Sequence, residues 1–277
     1  MRATNVALVA LILAACDRPK VAVICHNANC VEPTDPQADD TLPAMRESLA
    51  LQIGGKPAID AVEIDSFWRG TDDTCLFAHD LVRPSNTPIT EAATVIAEHI
   101  MTAPELTRSG GAFRVYLELK TKTDPAESVF HTATQRILHA DCAWGVYATI
   151  ADAAMVSGRN VELVFSSFSP DLLREVIRRK PPTTPISYKL DTFYGIPKPL
   201  NSETSPLNKF AGIPIDIVEI HPQWIHDAQY EGLRSLGVEI VFWTFSATVE
   251  TFAAIEQYEP EAVGTSEAQL LVRWLDN

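Results

Sequence analysis

The sequence predicts one (β/α)8 TIM barrel, an α/β fold in a single domain, from three observations. Eight short β-branched runs recur along the 277 residues, with segments of helical periodicity between them. The later runs begin at Val161, Ile186, Ile215, Val238 and Ala262, 23 to 29 residues apart, which is one strand plus one crossover helix. No Gly-rich phosphate loop follows the first run, which disfavours the competing open, doubly wound sheet.

In order, the runs are Val21 to Cys25, Ala61 to Asp65, Arg114 to Leu119, Val161 to Ser166, Ile186 to Leu190, Ile215 to Ile220, Val238 to Trp243 and Ala262 to Thr265. Between them, apolar residues at helical spacing mark Thr41 to Gln52, Thr87 to Met101, Pro125 to Leu138, Pro170 to Arg179, Pro222 to Leu236, Val249 to Gln257 and Ser266 to Leu275. Ser169-Pro170 and Thr87-Pro88 supply helix-start signals, a capping side chain followed by a ring with its φ already set. The Pro-rich stretch from Thr192 to Pro214 reads as a long βα loop, and no low-complexity linker divides residues 21–277.

Residues 1–15 read as a secretory leader. Arg2 precedes an apolar run from Val6 to Ala15 that is too short to span a bilayer. The run ends in Leu13-Ala14-Ala15-Cys16, which resembles the bacterial lipobox, so Cys16 is expected to carry a lipid and residues 16–20 to form a short tether. Asp17 resembles the inner-membrane retention signal of enteric lipoproteins, which places the expected location on the periplasmic side of the inner membrane. Cys25, Cys30, Cys75 and Cys142 remain after Cys16, and in an oxidising compartment they permit up to two disulfides in any of three pairings. No C-x-x-C pair is present, which makes a structural zinc site the poorer reading.

Asp and Glu outnumber Lys and Arg by 36 to 22, a formal charge of −14, and no basic run could neutralise successive phosphates. Nucleic acid is excluded as a partner on that ground. Broad adsorption to an anionic membrane is excluded too, leaving the lipid as the only membrane contact.

In a barrel, functional groups gather where strands end, at the C-terminal face. There the first run gives His26, Asn27 and Asn29. The second gives Glu63-Ile64-Asp65, a short segment after it gives His79-Asp80, and the third gives Glu118-Leu119-Lys120. Strand side chains alternate, so Glu63 and Asp65 share a face, as do Glu118 and Lys120. Three converging carboxylates repel one another unless a cation sits between them, and an all-oxygen ligand set suits Mg²⁺ or Ca²⁺. Trp243 and Phe168, at or just beyond strand ends, could wall a glycerol or choline group; Glu219 and His221 share one side of the sixth run.

The ordered set His26, Asp40-Thr41-Leu42, Glu63-Ile64-Asp65, Phe77-Ala78-His79-Asp80, Glu118-Leu119-Lys120, Ser166-Ser167-Phe168-Ser169-Pro170 and Trp243-Thr244 resembles the glycerophosphodiester phosphodiesterase family of PLC-like phosphodiesterase barrels. The resemblance implies a metal-dependent hydrolase that releases glycerol 3-phosphate and an alcohol. It also implies that Glu63, Asp65 and Glu118 bind the cation, His26 and His79 act as general base and acid, and Asn27, Lys120 and Trp243 contact a small phosphodiester substrate.

Three departures stand out. Asn27 takes the place of the usual Arg, Ala38-Asp39-Asp40-Thr41 replaces Pro-Glu-Asn-Thr after an insert from Cys30 to Gln37, and Thr265-Ser266 replaces Thr-Asp. The first of these brings the sequence nearer to the sphingomyelinase D and phospholipase D toxins, which form a cyclic phosphate. Loss of that cation also leaves open a non-catalytic periplasmic binding lipoprotein. The four residues between Cys16 and the first run reach roughly 14 Å, so the bottom of the barrel should face the lipid and its mouth the periplasm.

Overall fold

The computed structural model describes residues 20–277 apart from 33, 36, 80–85, 121, 125–128, 195–205 and 247. The expected leader, the lipidation site Cys16, residues 17–19 of the tether, and Asp80 lie outside the described residues.

Eight parallel strands close into a barrel: β1 (Ala22–Cys25), β2 (Ala61–Arg69), β3 (Phe113–Leu119), β4 (Val161–Ser166), β5 (Ser187–Tyr194), β6 (Ile217–Ile220), β7 (Glu239–Phe245) and β8 (Ala262–Thr265). Each pairs with its neighbours in sequence, β8 pairs with β1, and β1 pairs with β2 through Ile24–Ala61 and Cys25–Val62. All eight expected runs are strands. A short antiparallel strand, Thr74–Phe77, folds back on the far end of β2, with Phe77 opposite Ser66 and Thr74 opposite Arg69.

Among the described residues seven α-helices alternate with the strands: α1 (Leu42–Leu49), α2 (Ile89–Thr102), α3 (Ala133–Ser157), α4 (Pro170–Arg178), α5 (Asp227–Ser235), α6 (Val249–Tyr258) and α7 (Ala268–Leu275). Between β5 and β6 the described residues form only a 3-10 turn, Pro206–Phe210, within the long loop expected there.

Alternation divides each strand between two cores. Val62, Ile64, Val115, Leu117, Leu163 and Phe165 point outward into the layer shared with the helices. Ile24, Ala61, Tyr116, Val164, Ile217, Val241 and Ala262 fill the barrel axis. Burying each large apolar side chain contributes about 1.5–3 kcal/mol, so the two layers hold the strands' facing in place. Below the axial layer, Arg114 lies 2.8 Å from Glu162 and 2.7 Å from Glu239, and Lys189 pairs with the same two carboxylates. This ion cluster closes the N-terminal end of the barrel, leaving the other end open to polar groups.

The third helix differs from expectation. It begins at Ala133 and runs 25 residues, well past Leu138. A capping box, in which Thr132 accepts from Gln135 N while the Gln135 side chain accepts from Thr132 N, fixes its start. Gly158, at φ +65°, ends it. Most of its second half is small and apolar, from Ala148 to Val156, so it lacks the one-sided stripe by which a surface helix is recognised.

Candidate active site

The acidic cluster follows directly from strand register. Glu63 and Asp65 stand two apart on β2, and Asp65 lies level with Glu118 on β3. All three are buried, at 4%, 0% and 2% exposure, and one oxygen from each lies within 4.8 Å of the others. Lys120 Nζ sits 3.0 Å from Asp65 Oδ1 and 2.8 Å from Glu118 Oε2.

His26 is placed by the tight 3-10 turn His26–Ala28 at the end of β1, where Asn27 and Ala28 both take left-handed φ of 50° and 53°. That conformation disfavours ordinary residues and is sustained by its surroundings. Asp40 N donates to Asn27 O at 3.0 Å, and the buried Asn29 donates to Asp39 Oδ1 at 3.0 Å and Glu32 O at 2.9 Å. The result puts His26 Nε2 3.6 Å from Glu63 Oε2, an oxygen that also accepts from Asn27 N at 3.3 Å. The Asn27 side chain turns to Asp39 Oδ2, 3.5 Å away.

His79 comes from the other side. It follows the antiparallel strand, and the preceding Ala78 N donates to Asp65 O at 3.1 Å, so the imidazole hangs from the rim beside β2. It is exposed, yet near enough for its charge to act on both His26 and Glu118.

Burial pushes the carboxyl of Glu63 well above the usual range, helped by Asp65 and Glu118; burial also raises Glu118, against the pull of Lys120. Burial lowers His26 to about 4, opposed by Asp65, so its ring is neutral at physiological pH. The attraction of Asp65, Glu118 and Glu63 outweighs burial at Lys120 and keeps it charged.

With all three ionised, as cation binding requires, three carboxylates against one ammonium leave two negative charges to balance. Neither Asp65 oxygen has a hydrogen bond among the described residues; the contact with Lys120 is an ion pair without hydrogen-bond alignment. This donor set fits a hard divalent cation.

The polar lining continues around the barrel, through the candidate Glu219 and on to Asp191, which was not a candidate. Asp191 on β5 and Glu219 on β6 are buried side by side, and Asp191 is raised to about 7, chiefly by burial. Ser166 is buried beside them, its hydroxyl hydrogen-bonding to Asp191, and burial pushes the enclosed Tyr116 phenol well up. Asp191 lies just past Leu190, where the β-branched run expected for the fifth strand ends, and the strand continues four residues further to Tyr194. Asp40 is likewise drawn in, its Oδ1 accepting from Asp65 N at 3.4 Å. His221 is not part of the cluster; it caps the turn Pro222–Trp224 and lies against Trp224.

Trp243 forms one wall. Its ring lies 4.9 Å from Phe193 and 6.4 Å from His26, and Phe168 stacks on Phe193 at 4.0 Å. The disulfides are Cys25–Cys30, bracketing the turn that carries His26, and Cys75–Cys142.

No protein-family model and no curated protein sequence matches this chain. Solved structures do match. A Silicibacter pomeroyi protein assigned as a glycerophosphoryl diester phosphodiesterase is 15% identical over 93% of this chain and 94% of its own, with a TM-score of 0.66. An Oleispira antarctica phosphodiesterase, solved with its product sn-glycerol-3-phosphate, is 16% identical over 92% and 97%, at 0.60. The Thermotoga maritima glycerophosphodiester phosphodiesterase is 18% identical over 92% and 98%, at 0.54. This chain therefore has the (β/α)8 barrel of those structures as a single fold over nearly its whole length.

Proposed function

We propose that the protein is a divergent glycerophosphodiester phosphodiesterase, hydrolysing a small phosphodiester to glycerol 3-phosphate and an alcohol with the help of Mg²⁺ or Ca²⁺. The observation that carries this reading is the convergence of Glu63, Asp65 and Glu118 within 4.8 Å, flanked by an ammonium and two imidazoles. The Oleispira structure, bound to sn-glycerol-3-phosphate, supports the substrate class.

In this account Glu63, Asp65 and Glu118 hold the cation, which when bound supplies charge neutralisation to the phosphodiester oxygens. Lys120 adds a fixed positive charge beside the same oxygens as negative charge builds on them. His26, neutral at working pH, takes the proton from the attacking hydroxyl, and His79 donates one to the departing alkoxide. Asn27 offers hydrogen bonds to the phosphate in place of a charge, and Trp243 with Phe193 and Phe168 packs against the organic group.

The chain's own geometry also bears on location. The N-terminal end of β1, at Ala22, is the end opposite Glu63 and Asp65, so a lipid on Cys16 would set the site facing away from the bilayer. That orientation favours soluble, deacylated diesters.

The test is incubation with glycerophosphocholine and Mg²⁺ or Ca²⁺, with and without chelator, followed by phosphorus NMR. Glycerol 3-phosphate that disappears with chelator is expected. A cyclic phosphate as the end product would instead support the toxin-like reading favoured by Asn27, and tight binding without turnover would support a binding lipoprotein.

A further inference from the structure

We infer that the Cys75–Cys142 disulfide is a positioning device for His79, and that opening it removes proton donation to the leaving group while the carboxylate cluster and the barrel persist. The inference rests on the acid role proposed above for His79, and the experiment separates the two.

His79 differs from the acidic cluster in the element that carries it. Glu63, Asp65 and Glu118 stand on strands paired on both sides within the closed barrel. The imidazole instead follows a four-residue strand that lies outside the closed barrel and pairs with the rim extension of β2. A four-residue edge strand has little stability of its own, and core packing holds its inner part through the buried Leu76, Phe77 and Ala78 while Thr74 and Cys75 stay partly exposed. Beside that packing, its described backbone tethers include the bridge Leu76–Pro88 and the bonds from Phe77 N to Thr87 O and from Ala78 N to Asp65 O.

The disulfide supplies what the strand lacks. Cys75 is four residues before His79, and Cys142 lies within α3, flanked there by the buried Ala140, Ala143 and Trp144. Ser66, the residue after Asp65, completes the joint: its Oγ is 3.2 Å from Cys75 Sγ and 2.8 Å from His139 Nε2, one turn before Cys142 on the same helix. Thus the strand that bears the cation ligands, the strand that bears His79, and the barrel's longest helix meet at one covalent cross-link.

The two disulfides also differ in reach. Cys25 and Cys30 are fully enclosed, whereas Cys75 and Cys142 are each half-buried. A dithiol reductant therefore meets the second first. Its thiolate attacks one sulfur to give a mixed disulfide, and its other thiol closes on that bond. Cys75 and Cys142 leave as thiols with two electrons and two protons, and the reductant leaves as a cyclic disulfide.

Proton donation matters only for a poor leaving group, so the choice of ester isolates the acid. The experiment compares kcat on glycerophosphocholine, whose leaving alkoxide is basic, with kcat on the p-nitrophenyl ester of glycerol phosphate, whose leaving group needs no proton. Each is measured for the intact protein, the dithiothreitol-reduced protein, a Cys75→Ala/Cys142→Ala variant and a His79→Ala variant. Alkylation and peptide mass mapping identify the reduced pair, and hydrogen exchange follows Leu76 to His79 independently of turnover.

The expected result is a loss of about 10²-fold on the choline ester, the scale of a misplaced catalytic group, with the aryl ester unchanged. Exchange rises at Leu76 to His79 and stays slow in β2 and β3. Reduction of His79→Ala adds no further loss. Equal losses on both esters, or unaltered exchange at Leu76 to His79, overturn the inference even where His79→Ala shows the split between esters. If His79→Ala itself shows no split, the acid role is wrong, and the positioning inference falls with it.

Discussion

At the scale of single residues, the account turns on which buried charges have partners. Among the described residues Lys120 is the one cation ion-paired with Asp65 and Glu118, so removing it leaves both buried carboxyls without that partner. Lys120→Met should lower kcat by about 10²–10³-fold, the scale of losing one fixed donor to transition-state charge. Steady-state kinetics checks this, and a change confined to KM would contradict it.

Asp191 makes a pH prediction. Its ordinary value of 3.8 applies to the unfolded chain, against about 7 in the folded one. Below pH 4 both states hold the proton and folding pays no penalty. As pH rises toward 7 the unfolded chain ionises first, and stability is lost until the folded group ionises too. Asp191→Asn should therefore melt above the parent by a margin that grows from pH 4 to pH 7 and then levels; a margin independent of pH would count against the shift.

The legibility of these residues follows from periodicity. Glu63, Asp65, Glu118 and Lys120 can be grouped because alternate strand positions share a face, whereas Asp40 enters only through the family resemblance and Asp191 lies past the expected end of its run. Asp40 reaches the cluster from a loop, through a long-range contact that no local pattern encodes.

At the scale of elements, every barrel strand is legible because it carries a short run of mostly β-branched, aromatic or leucine residues between helical segments. The boundaries of α3 were not. Its all-round apolar second half hides the helical period, and its stop depends on a left-handed backbone at Gly158. A Cβ there meets nothing within 4 Å, so the cost of Gly158→Ala is conformational alone, about 1 kcal/mol. Thr132→Ala at the other end should cost a similar amount by removing the cap. Denaturant unfolding measures both, and a neutral Gly158→Ala would mean that this helix end relaxes freely. The disulfide pairing is equally closed to sequence reasoning, since Cys75 and Cys142 are 67 residues apart and meet only once the short strand Thr74–Phe77, folded back on β2, lies against α3.

At the scale of the whole molecule, the two ends of the barrel are chemically distinct. Compensated ions close the bottom around Arg114 and Lys189, while uncompensated acids gather at the mouth. With a formal charge of −14, the surface field would repel anionic lipid, so only an anchor at Cys16 would hold the chain at a membrane. Under the proposed orientation, the lipidated protein should cleave soluble glycerophosphodiesters and spare phospholipids in the vesicle that carries it. Efficient vesicle cleavage, with the soluble diesters untouched, would reverse the proposed orientation.

The most direct test of the account is calorimetric titration of the protein with Mg²⁺ and with Ca²⁺, alongside Glu63→Gln, Asp65→Asn and Glu118→Gln. A single ion bound by the parent with at least one of the two metals, and lost in all three variants with the barrel still folded, is the predicted result. Cation binding that survives these substitutions would contradict the claim that the three carboxylates form the metal centre.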